Sequence, residues 1–196
     1  KIWGRKKYLL LIFFRYKPAY RYEDGFIRSV DRNGIILSYV RDTLGIYYDA
    51  NCSSELESLI IRGTDNNSKD TSSLIELWKT NFITKYNSLR DFSSKLPDKY
   101  ILVVDQIKGD LSVKYGLASK FSFQEMLNKA LIENPSHTIL IKTHQDVFAR
   151  KKEGYYKFKN FSNNPRIQVI SNNCHPVRLI RKADAVYTVT SQVVFE

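Results

Sequence analysis

The sequence is poor in the residue types that build metal sites, disulfide frameworks and phosphate-binding loops. It has only 2 cysteines, Cys52 and Cys174, which lie far apart and outside any Cys-x-x-Cys or Cys/His metal spacing. Its 8 glycines form neither the Gly-x-Gly-x-x-Gly fingerprint of dinucleotide-binding proteins nor a Walker motif. Because it also lacks an Asp-x-Asp pair, we expect no structural or catalytic metal ion. Cysteines this sparse favour a cytoplasmic location.

Long hydrophobic runs are absent as well. The longest apolar stretch, residues 8–14, is far shorter than the about 20 residues that a membrane-spanning helix requires. Lysine and arginine precede it, but no small-residue cleavage site follows, so we expect this stretch to be buried rather than to act as a signal peptide. The composition, 43% hydrophobic and 26% charged, is that of an ordinary globular protein.

Positive charge is what the sequence has in excess. Against 20 acidic residues stand 31 Lys and Arg, and the formal net charge of +11 favours anionic partners: phosphorylated or carboxylated small molecules, nucleic acid or an acidic lipid surface. A solvated basic surface without a ligand is the competing interpretation. No RNP-like aromatic pattern, zinc-finger spacing or Lys/Arg block accompanies the charge, and we therefore expect no nucleic-acid partner.

The first half of the chain predicts short alternating elements. We expect a helix over residues 7–16, strands over 19–22, 35–40 and 45–48, and a helix over 55–61 that opens on the capping box Ser54-x-x-Glu57. Residues 63–73 are polar and rich in breakers, which indicates a linker. Apolar side chains then recur every three or four residues and predict one amphipathic connecting helix: Leu74, Leu77, Trp78, Phe82, Tyr86 and Leu89.

The last hundred residues alternate between strands and helices. Strands are expected at residues 100–104, 138–141, 167–170 and 185–189. One helix should begin at Ser122-x-x-Glu125 and run to Ile132, and another should begin at Pro176. The pair His175-Pro176 can mark a donor site in nucleotide-sugar enzymes, but a helix start is the favoured interpretation. The order of elements argues for a parallel sheet of Rossmann type, whose ligands bind outside the carboxyl ends of its strands.

Polar residues follow three of these strands, where that rule places a ligand. They are Asp105, Gln106 and Asp110 after the first strand, Lys142, Thr143, His144 and Asp146 after the second, and Thr190, Ser191 and Gln192 after the fourth. Together they suit acid/base or nucleophilic chemistry on an anionic substrate. Simpler alternatives exist: the aspartates, the serine and the glutamine can cap helices, and the histidine can be a surface residue. Their recurrence at three strand ends favours a site.

Five motifs in order give the chain a family resemblance. The series resembles the bacterial capsule β-Kdo glycosyltransferases, the KpsC-type capsule polysaccharide proteins, along nearly the whole chain. Gln145 and Val194 depart from it, since the family pattern has proline and glycine there. The motifs are Tyr22-Glu23-Asp24-Gly25-Phe26-Ile27-Arg28-Ser29, Gly45-Ile46-Tyr47-Tyr48-Asp49-Ala50, Val104-Asp105-Gln106-Ile107-Lys108-Gly109-Asp110 with Tyr115-Gly116, Lys142-Thr143-His144-Gln145-Asp146, and Thr190-Ser191-Gln192 through Phe195-Glu196.

The resemblance implies an α/β fold of the GT-B type, with two Rossmann-like halves and a parallel sheet in the C-terminal half. Residues 1–72 would form the acceptor-side half, residues 73–97 a connecting helix, and residues 98–196 the half that binds the CMP-sugar donor. Compared with the family pattern, the sequence lacks the start of the first half and the end of the second half. We therefore expect a fragment of one module, with both halves incomplete.

The resemblance also implies a reaction. Kdo would pass from CMP-Kdo to a Kdo glycolipid built on phosphatidylglycerol, with retention, through a covalent adduct between the sugar and an aspartate. Such an enzyme would use no cofactor and would work in the cytoplasm, with peripheral attachment to the inner membrane. The alternatives are another CMP- or NDP-sugar transferase of the same fold, such as a sialyltransferase, and a non-enzymatic basic binding module.

The family's site residues carry over motif by motif. Asp110 matches the nucleophile, His144 is expected beside it, and Glu23 or Asp24 is expected to act as acid/base. The residues expected to bind the donor are Gln106, Lys142, Thr143, Ser191, Gln192 and Arg28. Lysine, arginine and a protonated histidine would neutralise the departing CMP phosphate, which makes a metal ion unnecessary.

Overall fold

The structure is a computed structural model that describes residues 2–3, 20–31, 33–63, 68–88, 95–157, 161, 163–170 and 174–195. At residues 2, 3, 68, 69, 145, 194 and 195 it describes the backbone alone. The helix predicted over residues 7–16 lies outside the described residues, and so do the side chains of Gln145 and Val194. The chain divides into two compact units, residues 1–88 and 89–196.

Over its described residues, the first unit forms a small mixed sheet and two helices. Strand β1 (Ile2–Trp3) runs parallel to β2 (Arg21–Asp24), and β3 (Tyr39–Asp42) pairs antiparallel with β2. Helices α1 (Glu55–Arg62) and α2 (Ser68–Thr80) follow. The predicted capping box of α1 is confirmed: the Ser54 hydroxyl accepts the Glu57 N–H at 3.0 Å, and the Glu57 carboxylate accepts the Ser54 N–H at 3.4 Å.

Of the strand predictions in this unit, the one for residues 35–40 is displaced toward the C-terminus and the one for residues 45–48 is wrong. Strand β3 begins only at Tyr39, and residues 45–48 lie in turns and irregular structure rather than in a strand. The carboxylate of Asp42, 1% exposed, accepts the N–H groups of Leu44 at 2.8 Å, Gly45 at 2.9 Å and Glu55 at 2.9 Å. Such local bonds satisfy the backbone without a strand partner, and the apolar pattern alone cannot reveal them.

The amphipathic helix differs from its prediction at both ends. Helix α2 begins at Ser68, inside the predicted linker, and ends at Thr80. Phe82 then adopts a left-handed conformation with φ of 53°. The N–H of Ile83 donates to the Trp78 carbonyl at 3.0 Å, which closes the helix in a Schellman-type ending. Phe82 and Tyr86 therefore lie beyond the helix, and Leu89 lies outside the described residues.

The second unit is built on a parallel sheet of four strands. These are β4 (Tyr100–Val104), β5 (Thr138–Lys142), β6 (Ile167–Ile170) and β7 (Ala185–Tyr187), in the order β6-β5-β4-β7. Its helices are α3 (Leu111–Tyr115), α4 (Lys120–Glu133), α5 (Gln145–Phe148) and α6 (Pro176–Lys182), and a 3-10 turn covers Gln192–Phe195. All four predicted strands of this half are confirmed, although β7 ends two residues early.

Strand β4 is buried on both faces, which explains its uninterrupted apolar run. Ile101 and Val103 point into a cluster with residues of α4 such as Phe123, whereas Tyr100 and Leu102 belong to a second cluster with Leu179 of α6. Alternate side chains of a strand point to opposite faces, so the two clusters lie on opposite sides of the sheet. Helices on both faces of a parallel sheet define the doubly wound arrangement.

Of the two predicted helix starts around this sheet, one is corrected and one is confirmed. Helix α4 begins after Ser119, whose hydroxyl accepts the Phe121 N–H at 3.2 Å. Ser122, the predicted cap, is instead the third helical residue, and its hydroxyl accepts the Ser119 N–H at 3.1 Å. Helix α6 begins at Pro176 as predicted, with His175 as the preceding residue and no capping bond from its side chain.

The strand order locates the crevice in which ligands bind such sheets. From β4 the chain adds β5 and then β6 on one side, and α6 returns it to β7 on the other side of β4. The direction of strand addition therefore reverses between β4 and β7. Doubly wound sheets bind ligands at this switch point, outside the carboxyl ends of the two strands.

Candidate active site

Asp105 is buried directly beyond β4, with 3% of its surface exposed. Its Oδ1 accepts the N–H of Gln106 at 2.9 Å and of Tyr155 at 3.0 Å. Burial raises the pKa of Asp105 from 3.8 to about 6, although these N–H donors and the charge of Lys108 act in the opposite direction. Its Oδ2 has no hydrogen-bond partner among the described residues and packs against the Cα of Gly154. Asp105 thus anchors the segment around Tyr155 instead of capping a helix.

Asp110 is the residue that caps the next helix. Its Oδ1 accepts the backbone N–H of Ser112 at 3.0 Å and the Ser112 hydroxyl at 3.1 Å. Within the described part of the chain, no hydrogen bond to its Oδ2 is found. The carboxylate is partly exposed. The capping interpretation therefore holds for Asp110. The cap fixes the orientation of the carboxylate: Oδ1 accepts both hydrogen bonds from Ser112, and Oδ2 accepts none from the described residues.

A hydrogen-bonded network joins the ends of β4 and β7. The Gln106 carbonyl oxygen accepts the Thr190 N–H at 3.0 Å, and the Gln106 amide donates to the Thr190 hydroxyl at 3.0 Å. The hydroxyls of Thr190 and Ser112 lie 3.2 Å apart. Asp110, Ser112, Thr190 and Gln106 therefore form one chain of contacts across the switch point, and we call these four residues the switch-point network.

Ser191 and Gln192 lie at the start of the 3-10 turn, Ser191 just before it and Gln192 as its first residue. The Ser191 N–H donates to the Thr188 hydroxyl at 3.2 Å, and the Ser191 hydroxyl accepts the Val193 N–H at 3.3 Å. The serine therefore caps the turn, as the simpler interpretation holds. Both residues are partly buried at the end of β7, next to the switch-point network.

Lys142 and Thr143 lie at the end of β5, the strand next to β4. The Lys142 carbonyl accepts the Asp105 N–H at 2.9 Å, which fixes the two strand ends to each other. The Lys142 ammonium donates to the Thr143 carbonyl at 3.2 Å. Burial lowers the pKa of Lys142, whereas the neighbouring Cys174 acts to raise it. Thr143 is 2% exposed, and its N–H donates to Ile170 of β6 at 3.2 Å, so it connects strands from within the core.

His144 is the residue immediately before helix α5. Its Nδ1 accepts the Asp146 N–H at 3.1 Å. An acceptor at Nδ1 places the single proton of a neutral imidazole on Nε2. The proximity of His144 to Asp110 stays a prediction.

The predicted acid/base residues lie in the first unit, on β2. The Glu23 carboxylate accepts the Tyr48 hydroxyl at 2.9 Å and the Asp24 N–H at 3.1 Å. Asp24 pairs with Arg28 at 3.0 Å. Arg28 also donates to the Ser29 hydroxyl at 3.1 Å. The first unit therefore brings these three predicted residues together with Tyr48, whose sequence surroundings predict a strand.

Ser112 and Tyr48 are the site neighbours that the sequence analysis missed. For Ser112 a signal existed, since Asp-x-Ser at a helix start is a capping pattern. Tyr48 lies 25 positions after Glu23, and no local pattern connects them. Among the described residues, no group of three or more His, Cys, Asp or Glu side chains is placed to hold a metal ion. The same part of the chain contains no helix that combines the length and apolarity needed to span a membrane.

The parallel sheet and its switch point define the second unit as a Rossmann-type domain. Residues 74–196 match the family described as "Capsule polysaccharide biosynthesis protein". The chain belongs to this family.

Two curated relatives are similar to nearly the whole chain. The capsule polysaccharide modification protein LipA of Neisseria meningitidis serogroup B is 33% identical over 91% of this chain and 27% of LipA. The lipopolysaccharide-processing protein LpsZ of Rhizobium meliloti is 31% identical over 91% of this chain and 43% of LpsZ. The chain thus spans less than half the length of either relative.

Two solved structures share the fold. The β-Kdo 2,4 transferase of Thermosulfurimonas dismutans KpsC superposes with a TM-score of 0.84 at 33% identity, covering 97% of this chain and 63% of that one. The β-Kdo 2,7 transferase of the same protein gives a TM-score of 0.65 at 26% identity, covering 98% and 60%. This similarity confirms the predicted α/β, GT-B-like fold class and the predicted family resemblance.

Proposed function

We propose that this chain is part of a glycosyltransferase that moves Kdo from CMP-Kdo to a lipid-linked Kdo acceptor in capsule polysaccharide synthesis. The observation that supports the proposal is the switch-point network, which holds the Asp110 carboxylate beyond the carboxyl ends of β4 and β7, where sheets of this kind bind ligands. Family membership and the likeness to two Kdo transferases support it. Because the chain spans less than two thirds of these relatives, the proposal concerns the intact protein.

Asp110 is assigned the role of nucleophile. Its Oδ1 is held by two donors from Ser112, and its Oδ2 would attack the anomeric carbon of Kdo. The bond between that carbon and the CMP phosphate oxygen breaks, and its electron pair leaves with CMP. An acceptor hydroxyl then attacks the same carbon, loses its proton to a base and releases the carboxylate. Two displacements at one carbon retain its configuration.

Donor binding is assigned to the ends of β5 and β7. Kdo carries a carboxylate and leaves from a phosphate, so the site must hold two anionic groups. Lys142 and the Nε2–H of His144 would donate to the phosphate, with Ser191 and Gln192 beside the nucleotide. Gln106 and Thr143 are buried, and each is hydrogen-bonded to the end of another strand. They would therefore hold the strand ends that form this site.

Glu23 is the better candidate for the acid/base role. The carboxylate of Asp24 is already paired with Arg28, whereas the Glu23 carboxylate accepts only neutral donors among its described bonds. A base must accept the proton of the acceptor hydroxyl, and a carboxylate without a bound cation does this more readily. Arg28, engaged with Asp24, would contribute positive charge to the anionic substrate from the first unit.

The acceptor is assigned to a glycolipid built on phosphatidylglycerol, with the protein attached peripherally to the cytoplasmic face of the inner membrane. The net charge of +11 supports attraction to such an anionic surface.

The experiment that tests the proposal is the release of CMP from CMP-Kdo by the intact protein, with a Kdo-primed glycolipid as acceptor. We expect Asp110→Asn to lose roughly 1,000-fold or more in kcat while folding normally, because asparagine retains the helix cap. Asp31→Asn, which changes an exposed aspartate of the first unit, is the matched control and should retain activity. Unchanged turnover in Asp110→Asn would contradict the nucleophile assignment.

A thermal-shift comparison separates the donor classes. CMP should stabilise the intact protein more than UDP or GDP at equal concentration. A nucleotide that binds the folded protein more tightly raises the free energy of unfolding more. A larger shift with UDP or GDP would favour a different nucleotide-sugar transferase on the same fold.

A further inference from the structure

The two ends of the switch-point network set the direction of its hydrogen bonds. At one end, the Thr190 N–H donates to the Gln106 Oε1 at 3.0 Å. Because a backbone N–H is always a donor, this bond fixes the orientation of the Gln106 amide, whose Nε2 donates to the Thr190 hydroxyl at 3.0 Å. At the other end, the ionised carboxylate of Asp110 can only accept. The network therefore runs from a donor at Gln106 to an acceptor at Asp110.

The two hydroxyls between these ends each accept one bond and donate the next. The Ser112 hydroxyl lies 3.1 Å from the Asp110 Oδ1 and donates to it, because an ionised carboxylate offers no proton. The Thr190 hydroxyl, 3.2 Å from that of Ser112, then supplies the proton between the two hydroxyl oxygens. If its proton pointed instead to the Gln106 Oε1, 3.3 Å away, the two hydroxyl oxygens would face each other without a proton.

Gly116, at the end of α3, fixes the side chain of Thr190. A Cβ at this position would lie 3.1 Å from the Thr190 methyl carbon and 2.5 Å from the Ser112 carbonyl oxygen, so glycine allows α3 to approach both residues closely. The Gly116 N–H donates to that carbonyl at 2.9 Å. The methyl and hydroxyl of a threonine branch from one carbon, so a contact that holds the methyl also fixes the direction of the hydroxyl.

We propose that Thr190 is a positioning residue for Asp110, which acts through the Ser112 hydroxyl to hold Oδ1 and leave Oδ2 for the anomeric carbon. Without the Thr190 hydroxyl, the Ser112 hydroxyl loses the donor that keeps its own proton on Asp110. The carboxylate would then be held by the Ser112 N–H alone. This inference rests on the proposed function of Asp110 as nucleophile, and Thr190 itself contacts neither sugar nor nucleotide in it.

Thr190→Val tests this role, because valine keeps the branched shape beside Gly116 and removes the hydroxyl. We expect kcat for CMP release by the intact protein to fall roughly 10-fold, with the KM for CMP-Kdo changed less than about 2-fold. The reason is that the orientation of a nucleophile affects the transition state more than donor binding. Thr190→Ser retains the hydroxyl, and its kcat should stay within roughly 3-fold of the parent protein.

Amide hydrogen exchange provides a measurement that needs no substrate. The Ser112 N–H donates to the Asp110 Oδ1 at 3.0 Å, so its exchange reports whether the carboxylate is held. We expect exchange of this N–H in the intact protein to accelerate roughly 10-fold in Thr190→Val. Thr138→Val is the matched control, since Thr138 is a half-buried threonine at the amino end of β5. It should change neither exchange at Ser112 nor kcat.

Ser112→Ala identifies the path between Thr190 and Asp110. This change removes the hydroxyl and retains the backbone N–H that Asp110 caps. If Thr190 acts through the Ser112 hydroxyl, adding Thr190→Val to Ser112→Ala should lower kcat by less than about 2-fold further, because both changes break the same path. Fully additive losses would contradict that path.

Unchanged exchange at Ser112 in Thr190→Val, or equal losses of kcat in Thr138→Val, would overturn the positioning role. A Thr190→Ser variant as slow as Thr190→Val would overturn it as well, since the methyl contact rather than the hydroxyl would then matter. The exchange measurement separates the two proposals. If the intact protein releases no CMP from CMP-Kdo, yet Thr190→Val accelerates exchange at Ser112 and Thr138→Val does not, the proposed function fails while the positioning role is supported.

Discussion

At the scale of single residues, two aspartates five positions apart perform different tasks. Asp105 is buried and bonded to backbone N–H groups on two segments, whereas Asp110 is partly exposed with one oxygen held by Ser112. The first environment suits a structural anchor, and the second suits a group that must reach a substrate. Both carboxylates stand after the same strand, so their surroundings rather than their positions in the sequence distinguish them.

The buried carboxyl of Asp105 predicts a specific dependence of stability on pH. Its pKa is raised from 3.8 to about 6 in the folded protein, chiefly by burial. The folded state therefore binds the proton more tightly than the unfolded state, and stability falls as the pH rises through this interval. The loss amounts to about 3 kcal/mol at most. Asp105→Asn cannot titrate and should lack this loss.

Urea unfolding of both proteins at pH 4 and pH 8 measures this effect. The free energy of unfolding of Asp105→Asn, relative to the parent protein, should rise by up to about 3 kcal/mol between the two pH values. Differences that stay constant with pH would show that the carboxyl does not titrate in this interval.

The sequence indicated the residues of the candidate site better than their partners. Gln106, Asp110, Lys142 and Ser191 follow strands and could be selected by that position alone. The contact between Gln106 and Thr190 spans 84 positions, and that between Glu23 and Tyr48 spans 25. Such pairs depend on how strands are ordered in the sheet, and a single sequence carries no local signal for them.

At the scale of elements, the capping box of α1 is a local feature that the sequence predicts fully. Ser54→Ala removes the hydroxyl that accepts the Glu57 N–H and leaves that donor without its cap. We expect the free energy of unfolding to fall by about 1 kcal/mol. Ser53→Ala, one residue earlier and exposed, should change it by less than about 0.5 kcal/mol. Equal effects in a urea titration would contradict the capping role.

Strands were predicted well in the second unit and poorly in the first for a physical reason. Strand β4 is covered on both faces, so burial alone dictates an apolar run that is visible in the sequence. In the first unit, the Asp42 carboxylate organises a turn where the apolar pattern favoured a strand. The end of α2 was missed because Phe82, rather than glycine, adopts the left-handed conformation.

At the scale of the whole molecule, the net charge of +11 is the property that bears on partners. If the acceptor is an anionic glycolipid, the intact protein should bind vesicles containing phosphatidylglycerol more tightly than vesicles of phosphatidylcholine. Salt screens such attraction, so binding should weaken steeply between roughly 50 mM and 500 mM salt. Vesicle sedimentation measures this. Equal binding to both vesicles at every salt concentration would contradict the membrane assignment.

We propose that Asp110 bonds covalently to the sugar. The most direct measurement is the mass of the intact protein after incubation with CMP-Kdo in the absence of acceptor, followed by peptide mapping. We predict the addition of one Kdo residue on the peptide that contains Asp110, and its absence from Asp110→Asn. An adduct on a different side chain, or full CMP release by Asp110→Asn, would contradict the account.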